Sequence, residues 1–335
     1  MVRLSEIIRK KIAEKKSQDK IDPVSEAIKI KKDEESMLEI QKIYEDIILY
    51  IKQIMNDIRE GKTIEGREIV NIAEKIVDNL HINSDILLSL INKFAVYEKE
   101  EDYLYAHSVN VSILATNLGL ALGYDKAELI DLCTSALVHD IGMVKIPQEI
   151  IDKPKKLTKE EYDLVKKHPL YGLELLDNIK DLTKITSEVV YQHHEKIDGT
   201  GYPEGKSEEE ISEHAKIVAI AEVYEALTHP RPFRSRRILP SEGVKMVVEE
   251  AGSSFEPKLL KVLLNYITCY PIGSFILLNN NEIGRVISAN ENLPLRPVIE
   301  IVFDAEGKSL EKPKRIDLAK SPILYIKEAI DERNL

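Results

Sequence analysis

His193 and His194 stand side by side and run into Glu195-Lys196-Ile197-Asp198-Gly199-Thr200-Gly201-Tyr202-Pro203, a glycine-rich acidic loop. Upstream lie His107, the pair His139-Asp140, and His168, so five of the eight histidines fall between positions 107 and 194. One histidine at a helix end is ordinarily a cap or a surface group. Five of them, spread over separate helical stretches, are what a buried metal cluster needs. Neutral imidazole together with carboxylate suits divalent cations such as iron, manganese or zinc. No thiolate is on offer, which argues against a structural cysteine-type zinc site. The two oxygens of Asp140 can bridge two ions. The donors then divide into His107, His139, Asp140 and Glu222 for one ion, and Asp140, His168, His193 and His194 for the second. His81, His214 and His229 lack such company and read as structural or surface residues.

The elements that must carry these groups are mainly helical. Apolar residues recur at helical spacing from Leu38 to Ile54, and Glu60-Gly61-Lys62 ends that helix. Two helices are expected over 65–79 and 84–94, the second capped within Asn83-Ser84-Asp85. A long helix over 102–122 bears His107, and one over 126–139 ends on His139. Thr158 with Glu161 forms a capping box for a helix over 159–167. Pro169 breaks the chain at His168 before a helix over 170–176. Further helices are expected over 183–194, 212–227, 240–250 and 256–266, with Glu222 on the second of these. After Pro271-Ile272-Gly273 the pattern changes to short β-branched runs between turns: 275–278, 283–288, 298–303, 316–318 and 323–326. The fold class is mainly α, a helical bundle with N-terminal helices and a small C-terminal β subdomain. The divisions are a charged segment over 1–35, containing a short helix and then a solvated stretch, an N-terminal helical region over 36–96, a metal-bearing domain over 97–267 and a β subdomain over 268–335.

A chain of 335 residues, 43% hydrophobic and 31% charged, has room for two or three domains and a real core. The net charge of −11 argues against broad binding to DNA or to an anionic membrane. Arg231, Arg234, Arg236 and Arg237 nonetheless cluster within seven residues, enough for a small anionic ligand. No apolar run is long enough to span a bilayer and Met1 to Gln18 lacks a signal region, so the cytoplasm is the expectation. Cys133 and Cys269 lie far apart in apolar surroundings and read as buried, reduced thiols.

His139-Asp140, His193-His194-Glu195 and Gly201-Tyr202-Pro203 together resemble the HD-GYP family, a branch of the HD phosphohydrolase superfamily. The similarity extends through 105–111 and 219–228 into Arg231-Pro232-Phe233-Arg234, and covers about residues 97–267. The resemblance implies an all-helical domain that binds two or three metal ions and hydrolyses cyclic di-GMP to pGpG or GMP. It implies His107, His139, Asp140, His168, His193, His194 and Glu222 as ligands. It also implies basic contacts from Arg231 and Arg234 and contacts to signalling proteins through the Gly-Tyr-Pro loop.

Three positions depart from the family pattern. The last carboxylate, usually aspartate, is Glu222, and its extra methylene still lets it reach a metal. The lysine expected three residues after the HD aspartate is Met143, which cannot donate to a phosphate oxygen. Lys145 is two residues further on. The glutamate that binds a third ion in some relatives is replaced by Tyr103, so two ions, iron or manganese, are expected.

The implied chemistry is two-metal phosphodiester hydrolysis. Asp140 would be its central carboxylate, and Arg231 and Arg234 would hold phosphate oxygens or a guanine edge. Asp198 is a candidate for orienting a ligand or protonating the leaving alkoxide, against a plain loop-structuring role. Gly201 permits close backbone approach, and Tyr202 either contacts the ligand or packs the loop. Glu195 either bonds a ligating histidine or faces solvent. Two other functions compete: a slow or inactive module acting as a cyclic dinucleotide receptor or interaction domain, and a general nucleotide phosphohydrolase. The N-terminal helices are read as a homodimerisation element.

Overall fold

Glycine and proline mark several helix ends: Pro23, Gly66, Pro240 and Pro257 open helices, and Gly61 and Gly123 follow two others. The computed structural model describes residues 23–93, 103–229, 238–266, 270, 272–290, 293 and 295–330. The chain divides into two units, 1–46 and 47–335. Helix α1 (Pro23–Arg59) begins in the first unit, within the stretch expected to be solvated. The short helix expected before it lies outside the described residues.

Helix α2 (Gly66–Lys93) is one helix where two were expected. Its buried positions Ile69, Ile72, Ala73, Ile76, Val77, Leu80, Leu87 and Ile91 stay in step at helical spacing. A break at Asn83-Ser84 would rotate half of this stripe off the core, so packing overrides the local capping preference of those residues. Helices α3 (Tyr103–Leu122), α4 (Lys126–Leu137), α5 (Gln148–Ile151), α6 (Lys159–Val165), α7 (His168–Leu176), α8 (Lys184–Gln192), α9 (Glu213–Thr228), α10 (Pro240–Glu249) and α11 (Pro257–Tyr266) follow. Helix α3 is buried from Tyr103 to Gly119, because α2, α4, α9 and α11 all pack against it. The capping box of Thr158 with Glu161 starts α6, as its sequence indicates, and Asp125 with Glu128 builds another at α4. Among the described residues no helix is long and apolar enough to cross a membrane. Cys133 is buried, which pushes its thiol up to about 12, while Cys269 lies outside the described residues.

The C-terminal strands β1 (Phe275–Leu278), β2 (Ile283–Ser288), β3 (Val298–Phe303), β4 (Ser309–Asp317) and β5 (Ile326–Ile330) form one antiparallel sheet in the order β4-β3-β2-β1-β5. Alternate residues Ile276, Leu278, Val286, Ile299 and Ile301, with Leu318, make its core. The first three strands have the expected bounds. Strand β4 is longer than the run expected over 316–318: it is an edge strand, where Pro313 and a charged face are tolerated. Strand β5 begins where the run expected over 323–326 ends, since residues 322–323 form a turn.

Candidate metal centre

The HD pair sits just beyond α4, in the turn that opens a 3₁₀ segment, Ile141–Lys145, rather than inside the helix. That segment lies directly against the start of α7 because residue 142 is glycine: a Cβ there would meet the His168 carbonyl oxygen at 1.9 Å and the Gly172 nitrogen at 2.6 Å. The close approach brings Asp140 and His168 together. His107 comes from the first turns of α3, His193 from the C-terminal end of α8, and His194 from the residue after it.

Asp140 stands between two groups. Its Oδ2 is 3.9 Å from His107 Nε2 and 3.6 Å from His139 Nε2. Its Oδ1 is 3.2 Å from His168 Nε2 and 3.8 Å from His193 Nε2. One ligand atom from each of His107, His139 and Asp140 lies within 4.8 Å of the others, and the same holds for Asp140, His168, His193 and His194.

The hydrogen bonds behind the rings fix what these nitrogens can do. His139 Nδ1 donates to the Ala136 carbonyl at 2.7 Å, His168 Nδ1 to Val165 at 2.8 Å and His193 Nδ1 to Val189 at 3.1 Å. A carbonyl can only accept, so in each neutral ring the proton is on Nδ1 and Nε2 presents a lone pair. Burial disfavours the charged form of His168, His193 and His194. It pushes the His168 pKa below the ordinary imidazole value and, with neighbouring imidazoles, those of His193 and His194 well below it. Burial opposes the charge on Asp140, but the surrounding imidazoles, His139 first, outweigh it and hold the carboxyl below its usual range. The result is a buried hollow lined by lone pairs. His168 Nε2 and His193 Nε2 face each other at 3.0 Å, and His139 Nε2 has no hydrogen-bond partner among the described residues. Such a set is satisfied by cations, so the donors fit divalent metal ions.

Glu222 differs from its expected place beside His107 and His139. Its Oε1 is 3.6 Å from His194 Nε2, at the second group. Tyr202 stacks on His194, with ring centroids 4.6 Å apart and planes 25° apart. Gly201 makes this possible, because a Cβ there would meet Lys196 N at 2.4 Å and His194 O at 2.6 Å. Burial, with the charge of Glu222, pushes the Tyr202 hydroxyl far above its ordinary pKa, so it stays protonated. Asp198 does not join the site. It is exposed, and its Oδ1 accepts the Thr200 N–H at 2.9 Å and the Thr200 hydroxyl at 2.6 Å, which makes it a loop-structuring carboxylate. Glu195 takes neither expected role. It is buried and accepts the main-chain N–H groups of Glu204, Gly205 and Lys206, holding the Gly-Tyr-Pro loop from beneath.

Met143 is buried, and Lys145 turns away to Glu174 and the Tyr171 ring. Tyr103 is buried, with its hydroxyl donating to the Ile151 carbonyl. Arg231 and Arg234 lie outside the described residues. Two residues not singled out from the sequence also belong here. Lys166 stands over the Tyr202 ring, 5.6 Å from its centroid. Glu225 accepts from His107 Nδ1. Position alone could have suggested Glu225, since it lies one helical turn after Glu222.

Residues 92–259 match the family model for the HD domain, and residues 275–335 match a KOW domain associated with the HD domain. A cyclic di-GMP phosphodiesterase of Pseudomonas aeruginosa is 29% identical over 271 residues, 81% of this chain and 64% of that protein. One from Borreliella burgdorferi is 28% identical over 232 residues, 69% of this chain and 60% of that protein. A 3'3'-cGAMP-specific phosphodiesterase of Vibrio cholerae is 31% identical over 193 residues, 57% of this chain and 36% of that protein. The chain thus spans less than two thirds of the length of these relatives. The fold is similar to that of an HDG"Y"P protein from Bdellovibrio bacteriovorus, at a TM-score of 0.54 and 21% identity over 66% of this chain and 69% of that one. The family model covers half of the sequence, and its residues carry the paired histidine–aspartate groups, so this chain belongs to the HD domain family, with the architecture of its HD-GYP-like members.

Proposed function

We propose that the chain is a metal-dependent phosphodiesterase that hydrolyses cyclic di-GMP to pGpG or GMP in bacterial second-messenger signalling in the cytoplasm. The carrying observation is that the two oxygens of Asp140 face two different groups of imidazole lone pairs. Relatives named as cyclic di-GMP phosphodiesterases support the choice of substrate. In this reading His107, His139 and Asp140 hold one ion, and Asp140, His168, His193 and His194 hold the other, with Glu222 on the second side. Bound there, a pair of cations would neutralise the phosphodiester charge and acidify a water.

A donor set of imidazoles and carboxylates with no thiolate supports iron or manganese. The chain's other residues bind and orient. Tyr202 backs His194 and offers an aromatic face at the mouth. Lys166 brings positive charge to that face. Arg231 and Arg234 are assigned to phosphate or guanine contacts from sequence alone.

A second reading is favoured by one observation. Where the resemblance implies a phosphate-binding lysine there is buried Met143, and Lys145 is engaged by Glu174. That combination supports a module that binds a cyclic dinucleotide and turns it over slowly or not at all. The deciding experiment is anaerobic purification, metal analysis, loading with Fe(II) or Mn(II), and parallel assays with cyclic di-GMP, 3'3'-cGAMP and nucleoside triphosphates. Production of pGpG or GMP is the expected result. Tight binding without product selects the receptor, and preference for a triphosphate or for 3'3'-cGAMP overturns the proposed substrate.

A further inference from the structure

Glu225 has no part in the reading above, yet its side chain is fully buried beside the first group of donors. It sits on α9, and two groups from α3 donate to it: His107 Nδ1 to Oε2, and Asn110 Nδ2 to Oε1 at 3.0 Å. His139, His168 and His193 give their Nδ1 protons to neutral main-chain carbonyls. Among the described contacts of these four rings, His107 alone is backed by a carboxylate.

We infer that Glu225 is a positioning residue for the ion held by His107, and that it makes the two metal sites unequal. The inference rests on the two-ion reading proposed above. A carboxylate behind Nδ1 fixes the tautomer, so Nε2 presents its lone pair on the side of Asp140 Oδ2, 3.9 Å away. It also draws the Nδ1 proton toward itself, which makes Nε2 a more basic ligand than a carbonyl-backed ring. Asn110 holds the second oxygen, so the carboxylate cannot swing away from His107. The group of Asp140, His168, His193 and His194 has no such support from Glu225, so the effect belongs to one ion only.

The test is a titration of the full chain, stripped of metal, with Mn(II). Bound and free ion are measured directly, and electron paramagnetic resonance reports coupling between neighbouring ions. Glu225→Gln keeps the size and one acceptor oxygen but removes the charge. It is expected to weaken one of the two ions by about 10–100-fold, leave the other within about twofold, and replace the coupled-pair spectrum with that of a single ion when Mn(II) is limiting. Asn110→Ala keeps the charge and loosens its placement, and should weaken the same ion by a smaller factor. This second variant decides the matter if Glu225→Gln does not fold. Two ions bound by Glu225→Gln with wild-type affinity would overturn the inference. Equal weakening of both ions would overturn it too, because that is the signature of a general structural role. No substrate enters the titration. A wild-type chain that holds two ions but cleaves no cyclic dinucleotide therefore refutes the proposed function, while the Glu225 comparison still decides this inference.

Discussion

Replacing Gly142 with alanine tests how the fold delivers the central carboxylate. The new methyl group would stand 1.9 Å from the His168 carbonyl oxygen and 2.6 Å from the Gly172 nitrogen. Both are main-chain atoms of α7 and cannot rotate aside. Ordinary contact begins at 3.4 Å, so the 3₁₀ segment and α7 must part by up to 1.5 Å, the difference from 1.9 Å. Asp140 travels with one side and His168 with the other. Their 3.2 Å separation would grow toward about 4.7 Å, beyond the about 4.2 Å that two atoms can span across one ion with 2.1 Å bonds. A misplacement of this size should cost at least about 100-fold in affinity for the ion of the second group. Overpacking should also remove about 1–3 kcal/mol of stability, at the upper end because backbone is struck. Gly172→Ala is the comparison: its Cβ meets Val190 Cγ1 at 2.4 Å, a side-chain atom of α8 rather than the backbone beside Asp140, so a smaller loss of metal affinity is expected. Metal content after gel filtration, with thermal unfolding of the stripped protein, measures both effects. Gly142→Ala protein that keeps both ions at wild-type affinity and unfolds within about 1 °C of wild type would show that this contact does not set the site.

Glu195→Ala removes the acceptor for three main-chain N–H groups, so the Gly-Tyr-Pro loop should lose about 2–3 kcal/mol of local stability while metal content is kept. Faster hydrogen exchange at Glu204–Lys206 would register it, and unchanged exchange would refute it. Met143→Lys restores a donor at the HD turn and should tighten cyclic di-GMP by about 10-fold in calorimetry of metal-loaded protein. An unchanged affinity would show that position 143 does not reach the phosphate. Asp198→Asn keeps an oxygen for Thr200 and should leave turnover within about twofold, whereas a loss of about 100-fold would return Asp198 to the chemistry. In metal-stripped protein, buried His168 and His193 and half-buried His194 resist protonation that the unfolded chain accepts near pH 6.5. Their pKa values are lowered on folding, so the unfolded state binds more protons below that pH and stability falls as pH falls, by up to about 1.4 kcal/mol per unit for each ring. A melting temperature that stays flat from about pH 7.5 to about 5.5 would contradict this reasoning.

The ligand types were legible because imidazoles seldom gather without cause, and because His139-Asp140 and His193-His194 are adjacent pairs that need no fold to be noticed. The residues that aim them were not legible, since their partners lie far along the chain. Glu225 meets His107 across 118 positions, and only its place one helical turn after Glu222 marks it. Around the His pair, nearness in sequence misled. Asp198 and Glu195 both flank it, but the turn folds Asp198 back onto Thr200 and sends Glu195 beneath the loop. Helix breaks failed for a related reason. Asn83 and Ser84 carry a real local preference for caps, but Leu80, Leu87 and Ile91 lie on the stripe that begins at Ile69, and burying that stripe outweighs two capping bonds. All but the end of strand β4 escaped notice because edge strands are allowed the charges and the proline that a central strand forbids. Gly142 shows the boundary most sharply. Its place after Asp140 is plain in the sequence, but whether it ends a helix or admits another backbone depends on α7, which supplies the carbonyl that a methyl group would strike.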